Sequence, residues 1–158
     1  ISGTTSSCLN FGLFYHEKLV CVLSVIKSRF DRSYEYEISR FSSELDTSVI
    51  GGFSKLLKYF IKTYRVTSCM TYADKRFGEG KVYLLNGFEF LGQTSPNYWY
   101  MDKNGGNLES RMKYQKAKLK KKFPTLFDPN LTEFEIMTNA GYYKIFDCGS
   151  NKYGWNKK

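Results

Sequence analysis

The apolar residues of this chain change period once, abruptly, between residues 34 and 64. Tyr34 to Phe41 (YEYEISRF) alternates aromatic or aliphatic residues with charged or polar ones, the period-two mark of a half-buried strand. Phe53, Leu56, Leu57, Phe60, Ile61 and Tyr64 fall at 3, 4, 7, 8 and 11 residues after the first, one stripe of an amphipathic helix whose other face carries Lys55, Lys58 and Lys62. A chain that must bury a strand face and a helix stripe together is restricted to layered α/β and α+β architectures.

The flanking patterns fill in the order of elements. Cys8 to Tyr15 (CLNFGLFY) and Leu19 to Ile26 (LVCVLSVI) read as antiparallel strands joined by a tight turn at His16-Glu17-Lys18. After the amphipathic helix come a short strand, Ser68 to Tyr72, the polar segment Ala73 to Arg76, and a compact helix, Gly80 to Asn86, closed by Gly87. Phe88 to Leu91 and Tyr98 to Met101 are strands around a loop with Pro96, and Lys103 to Leu108 is a linker or hairpin tip. Glu109 to Phe123 predicts a basic helix stopped by Pro124. Thr132-Glu133-Phe134-Glu135 is a capping box for a helix over Glu133 to Ala140, before a last strand from Tyr142 to Cys148. The expected fold is α/β (α+β): a mixed, mostly antiparallel central sheet with flanking helices over residues 1–102. A basic helical extension over 103–158 then adds its final helix and strand to that core.

Composition narrows the chemistry. The chain has 158 residues and a net charge of +9, and the stretch Lys103 to Lys122, with eight basic residues and one acid, carries +7 of it. That concentration is an electrostatic footprint for a polyanion or, equally, a solvated lysine-rich helix. The one histidine, His16, leaves no second imidazole for a His-rich metal site or a phosphotransfer pair. Cys8, Cys21, Cys69 and Cys148 form no C-x-x-C pair, which argues against structural zinc and reads as reduced core residues of a cytoplasmic protein. No apolar run has the length of a membrane span, so no membrane partner is expected. The first residue is Ile1 rather than Met, and the chain is expected to belong to a longer polypeptide.

The stretch with chemical potential is the turn Gly51-Gly52-Phe53-Ser54 at the head of the amphipathic helix, read as following a strand. Glycines there admit close backbone approach, the first N–H groups of a helix hold phosphate or pyrophosphate, and Ser54 adds a hydroxyl. It is neither a Walker loop nor G-x-G-x-x-G. Asp74, Glu79 and Lys81 superficially match a D…E-x-K nuclease site, but the acids are too close in sequence for that arrangement.

Tyr83-Leu84-Leu85-Asn86-Gly87-Phe88 completes the set and resembles the GNAT-type acyl-CoA N-acyltransferases. There a hairpin and third strand precede a glycine turn that cradles the CoA pyrophosphate, and the Tyr of a Y-x-x-x-G-F sequence protonates the departing thiolate. Val49 stands where the family usually has Gln or Arg three residues before the glycine. A narrower resemblance rests on Tyr36 to Phe41, Val49 to Leu56, Thr71 to Arg76, Gly80 to Tyr83, Pro96 to Tyr100, Gln115 to Leu119 and Gly141 to Gly149. From about Ser2 to Trp155 the chain is similar to the GNAT-fold domain that accompanies nuclease modules in bacteriophage homing-endonuclease-like proteins. Mom-like phage proteins that modify adenine in DNA share the elements around Arg40, Ser54, Tyr72-Ala73-Asp74 and Gly80 to Tyr83 more distantly.

The resemblance implies two readings. In one, an accessory domain holds DNA through Arg111, Lys113, Lys116, Lys118, Lys120, Lys121 and Lys122, and a nuclease module lies elsewhere in the same full-length chain, in the cytoplasm of the infected host cell. In the other, acetyl-CoA or another acyl-CoA sits on Gly51, Gly52 and Ser54 while Asp74 steers an amine and Tyr83 protonates the thiolate. Arg40 inside a strand calls for Asp74 or a ligand anion as partner, unless its guanidinium reaches water. Asp74 equally well caps its loop, and Tyr83 equally well belongs to the core. Tyr98, Trp99 and Tyr100 suit base stacking or edge-strand packing, and a protein-binding scaffold is the third, blander reading.

Overall fold

The computed structural model describes residues 8–157, and Ile1 lies outside them. The chain forms two compact units, residues 1–94 with 150–158, and residues 95–149. The boundary therefore falls before the Tyr98 strand, not at residue 102, because that strand pairs with the second unit's own sheet.

The first unit is a six-stranded, mostly antiparallel sheet. Its elements are β1 (Leu9–Tyr15), β2 (Lys18–Lys27), β3 (Tyr36–Ser43), α1 (Gly52–Tyr64), β4 (Ser68–Asp74), α2 (Lys81–Leu84), β5 (Glu89–Gln93) and, at the far end of the chain, Ser150–Asn156. That last strand, β9 once the second unit's strands are counted, lies between β4 and β5, giving the order β1-β2-β3-β4-β9-β5. No strand is expected here from the sequence, since only Tyr153 and Trp155 mark an apolar face in this short polar segment. The helical stripe is as read from the sequence. Phe53, Leu56, Leu57 and Phe60 are buried with Leu23, Val25, Ile38 and Cys69 in one core. Phe60 meets Phe11 and Tyr36 at ring distances of 5.5 and 5.2 Å. A Phe lost from such a site costs about 3–5 kcal/mol.

The second unit comprises β6 (Tyr98–Asp102), β7 (Glu109–Ser110), a 3₁₀ turn (Arg111–Lys113), α3 (Lys116–Lys122), α4 (Glu133–Asn139) and β8 (Tyr142–Phe146). Its sheet order is β7-β6-β8, over a core of Tyr100, Tyr114, Leu119, Ile136 and Met137. The capping box forms: the Thr132 hydroxyl accepts from the Glu135 amide at 3.3 Å, and the Glu135 carboxylate accepts from the Thr132 amide at 2.7 Å.

The single basic helix over Glu109 to Phe123 does not form, nor does a helical extension. Ser110 caps a separate 3₁₀ turn, Tyr114 is inserted in the core, and Gln115 is extended at φ −53° and ψ 138°. With Asp102, Asp128, Glu133, Glu135 and Asp147 inside it, this unit has nine basic and six acidic residues, a net +3, so the charge is less segregated than the linear stretch implied.

Cys21 and Cys69 are buried free thiols as expected, and burial pushes Cys69 up to about 12; Cys148, expected in the core, is exposed. Among the described residues, no helix is long and apolar enough to cross a membrane.

The β1–β2 turn puts His16 at φ 46° and Glu17 at φ 64°, between the paired residues Tyr15 and Lys18. Two consecutive left-handed residues define the hairpin turn that favours Asn-Gly. Replacing His16-Glu17 by Asn-Gly is expected to stabilise the fold by about 1 kcal/mol, raising Tm by about 2–4 °C in thermal unfolding; an unchanged or lower Tm would refute the turn geometry.

Candidate functional site

Strands β3 and β4 run parallel, but their pairing covers only Tyr36–Ile38 against Cys69–Thr71. Beyond it β3 continues to Ser43 and β4 to Asp74, each hydrogen-bonded only on its outer side, to β2 and β9 respectively. The last rung is reinforced by the Thr71 hydroxyl, which donates to the Ile38 carbonyl at 3.0 Å. Past that point the sheet opens as a wedge at the carboxyl ends of two parallel strands, the usual position of a ligand crevice in open α/β sheets.

The helix α1 begins at this wedge. Phe53 in its first turn contacts Phe41 on β3 at 5.2 Å and Tyr83 on α2 at 5.4 Å, both edge-on. Gly51, the N-cap, holds φ 68° with nothing within 4 Å of where a Cβ would stand. No side chain caps α1 and no acidic residue sits in its first turn, so the positive end of its dipole has no internal counter-charge. The glycine turn does not follow a strand directly, contrary to the expectation from the sequence: β3 ends at Ser43 and a loop leads into Gly51.

Tyr83 and Asp74 do come together. They line a cleft of ≈ 600 Å³ with Tyr72, Ala73 and Phe77 to Val82. The floor is held by the Glu79 carbonyl, which accepts from the Tyr153 hydroxyl and from Asn151 Nδ2, the latter at 3.3 Å. Burial pushes the Tyr83 phenol up, Thr71 beside it pulls it partly back, and Tyr153 adds to the rise. A phenol held protonated next to a helix N-terminus is chemically a proton donor.

Asp74 is differently disposed from the steering role inferred for it. Its carboxylate accepts from the Arg76 amide at 2.9 Å and from the Arg76 guanidinium at 2.6 to 3.1 Å, and that hydrogen bonding holds it below the usual carboxylate range. This is the loop-capping alternative. Arg40 is half-buried on β3, in register with Ser24 on β2. Glu79 and Lys81 pair with each other at 3.5 Å. Ser54 lies outside the Tyr83 cleft, in a groove of ≈ 560 Å³ with Lys58, Lys62, Asn86 and Trp155.

Sequence reasoning missed Glu37. It is 2% exposed on β3; its Oε1 accepts from Arg29 Nη2 at 2.6 Å, and its Oε2 is buried without a hydrogen-bond partner. Glu37 is in register with Met70, which lines a second cavity of ≈ 470 Å³ with Tyr72, Tyr34, Asp31 and Lys152. Burial and then the Glu37 charge raise the Tyr72 phenol. Period-two alternation puts Glu37 with Glu35 and Ser39 on the polar face, so its burial follows from tertiary enclosure of that face and not from a local signal.

In the second unit, the basic segment is ordered. Lys116 Nζ donates to the Pro129 carbonyl and Lys118 Nζ to the Met112 carbonyl, both at 2.7 Å. Arg111 lies over the Tyr98 ring at 5.1 Å and Lys122 over Tyr114 at 3.9 Å, while Lys113 sits 3.8 Å from Glu109. Lys120 and Lys121 are exposed. Tyr98 and Tyr100 both donate to Glu133 Oε1 at 3.0 Å, and Tyr100 is buried, so this strand packs inward.

No family model matches this chain, and no curated protein matches it.

The tightest element of the cleft is Gly80, at φ +78°, where a Cβ would stand 2.7 Å from Tyr153, 2.9 Å from Ala73 and 3.0 Å from Tyr83. Gly80→Ala is expected to cost about 2–4 kcal/mol, combining left-handed strain with overpacking. Urea unfolding checks it, and a loss under about 1 kcal/mol would contradict the packing described.

Proposed function

We propose that this chain is a nucleic-acid-binding accessory domain of GNAT-like fold, of the kind that accompanies nuclease modules in phage mobile-element proteins and works in the host-cell cytoplasm. The observation that carries the reading is the pre-ordered cationic segment from Arg111 to Lys122. A lysine ammonium has three donors. Tethering one of them to a carbonyl, as at Lys116 and Lys118, leaves the charge in place and reduces the side-chain entropy lost when a phosphate is bound. Exposed Lys120 and Lys121 extend the same array. DNA is the partner, and a nuclease module in the full-length chain supplies any cleavage.

Affinity for duplex DNA should fall steeply with salt, since each neutralised phosphate releases counterions. Replacing Lys120 and Lys121 together by Ala should reduce the log–log salt slope by about two in an anisotropy titration. An unchanged slope would remove this segment as the contact.

A second reading, acyl transfer from acetyl-CoA or another acyl-CoA to an amine such as a nucleobase, is favoured by the β3–β4 wedge. The order hairpin, third strand, glycine turn, helix, strand and Y-x-x-x-G-F agrees with that superfamily, and Tyr83 is a protonated phenol at the wedge. The uncapped helix at Gly51-Gly52 supports a pyrophosphate there. If this reading holds, acetyl-CoA at about 100 times its Kd stabilises the fold by about 2.7 kcal/mol, or about 5–10 °C in Tm. Tyr83→Phe should retain that shift and lower the transfer rate about 100-fold. No thermal shift at millimolar acetyl-CoA would end the acyltransferase reading and leave the DNA reading untouched.

A further inference from the structure

We propose that the face of the second unit formed by α4 and β8 is a stacking site for an unpaired nucleobase of single-stranded nucleic acid. This rests on the nucleic-acid reading above and goes beyond it in naming the strand state recognised and the residues that read it.

Phe134 and Phe146 are 49% and 59% exposed, and with Tyr142, Tyr143 and Lys144 they line a groove of ≈ 400 Å³. The edge strand β8 alternates, sending Tyr142, Lys144 and Phe146 to one face. Half-buried Lys144 occupies the middle. Its Nζ lies 4.0 Å from the Tyr98 ring centre, 5.2 Å from that of Phe146 and 5.4 Å from that of Phe134. Exposed aromatic rings beside an ammonium are the recurring elements of single-strand binding grooves, where bases stack and the cation meets the backbone.

The charge argues for a polyanion over a protein. Lysine is depleted at the cores of protein interfaces, whereas here it sits at the centre of the aromatic patch. Arg111 lies over the same Tyr98 ring, 5.1 Å from its centre, so this ring is shared by Lys144 and a cation of the basic segment. The carboxylates flanking the patch are engaged within the fold: Glu133 accepts from Tyr98 and Tyr100, Glu135 from Thr132, and Asp147 from the Asn97 and Gly149 amides. Single-stranded nucleic acid is favoured because a base inside a duplex is stacked on both faces and offers no ring to Phe134 or Phe146.

The test uses the full chain and a fluorescent oligothymidylate of about 12 nucleotides, with a duplex of the same length as competitor. Phe146→Ala is expected to weaken single-strand binding about 5- to 100-fold, with the salt slope unchanged and Tm close to that of the parent. Phe134→Ala should act in the same direction, and Phe146→Trp should restore binding. Undiminished single-strand affinity in both alanine variants overturns the stacking site, as does equal competition by the duplex. If those outcomes accompany salt-dependent duplex binding, the broader reading survives; if neither oligonucleotide binds at low salt, both fall. Capture of a peptide ligand that is salt-insensitive and lost in Phe146→Ala would assign the face to a protein partner and overturn the proposal.

Discussion

Among the described residues, the rungs between Tyr36–Ile38 and Cys69–Thr71 are what join the two halves of the larger sheet, β1-β2-β3 and β4-β9-β5. A parallel pairing this short is weak by itself. Its stability is supplied from both sides: the Thr71 hydroxyl closes the last rung, and α1, the crossover between the paired strands, lays Phe60 against Tyr36 and Phe53 against Phe41. The same brevity lets the strands part, so the wedge, the uncapped helix start and Tyr83 all follow from where the pairing stops. Lengthening the pairing would close the crevice that these elements share.

The two units handle polarity differently. In the first, a carboxylate is buried: Glu37 is paired with Arg29 through one oxygen while the other is unsatisfied, an arrangement whose desolvation cost must be met elsewhere in the fold. In the second, buried phenols meet surface acids. Tyr114 donates to Glu109, and Tyr98 and Tyr100 donate to Glu133, so these acids are engaged by phenols while Lys120 and Lys121 are exposed. The proposed phosphate contact rests on that assignment of partners more than on the second unit's net charge. Its +3 is modest, and the first unit, with fifteen basic and nine acidic residues, carries the larger share at +6.

Periodicity made much of the larger sheet and α1 legible, because a strand face and a helix stripe have distinct spacings that burial enforces. The capping box at Thr132 was legible as a local hydrogen-bonding requirement, whereas the helix expected to run to Asn86 before Gly87 ends at Leu84. Three features were not. The strand Ser150–Asn156 returns from the far end of the chain, a long-range pairing that no local pattern encodes. The helix expected over Glu109 to Phe123 is broken by Tyr114 entering a core that only tertiary packing defines. The role of Asp74 depends on Arg76 two residues on, where loop capping and substrate steering look identical in sequence. Within the candidate site, Tyr83 and the glycine turn were found from spacing, whereas Glu37 required knowing which strand face is enclosed.

We propose that the second unit, and not the wedge of the first, takes up nucleic acid. Backbone amide chemical-shift mapping during titration with an oligonucleotide tests it most directly. The expected result is perturbation concentrated in residues 95–149, strongest at Arg111 to Lys122 and along Tyr142–Phe146. Perturbation concentrated instead at Gly51 to Ser54 and Tyr83, or absent throughout at low salt, would contradict it.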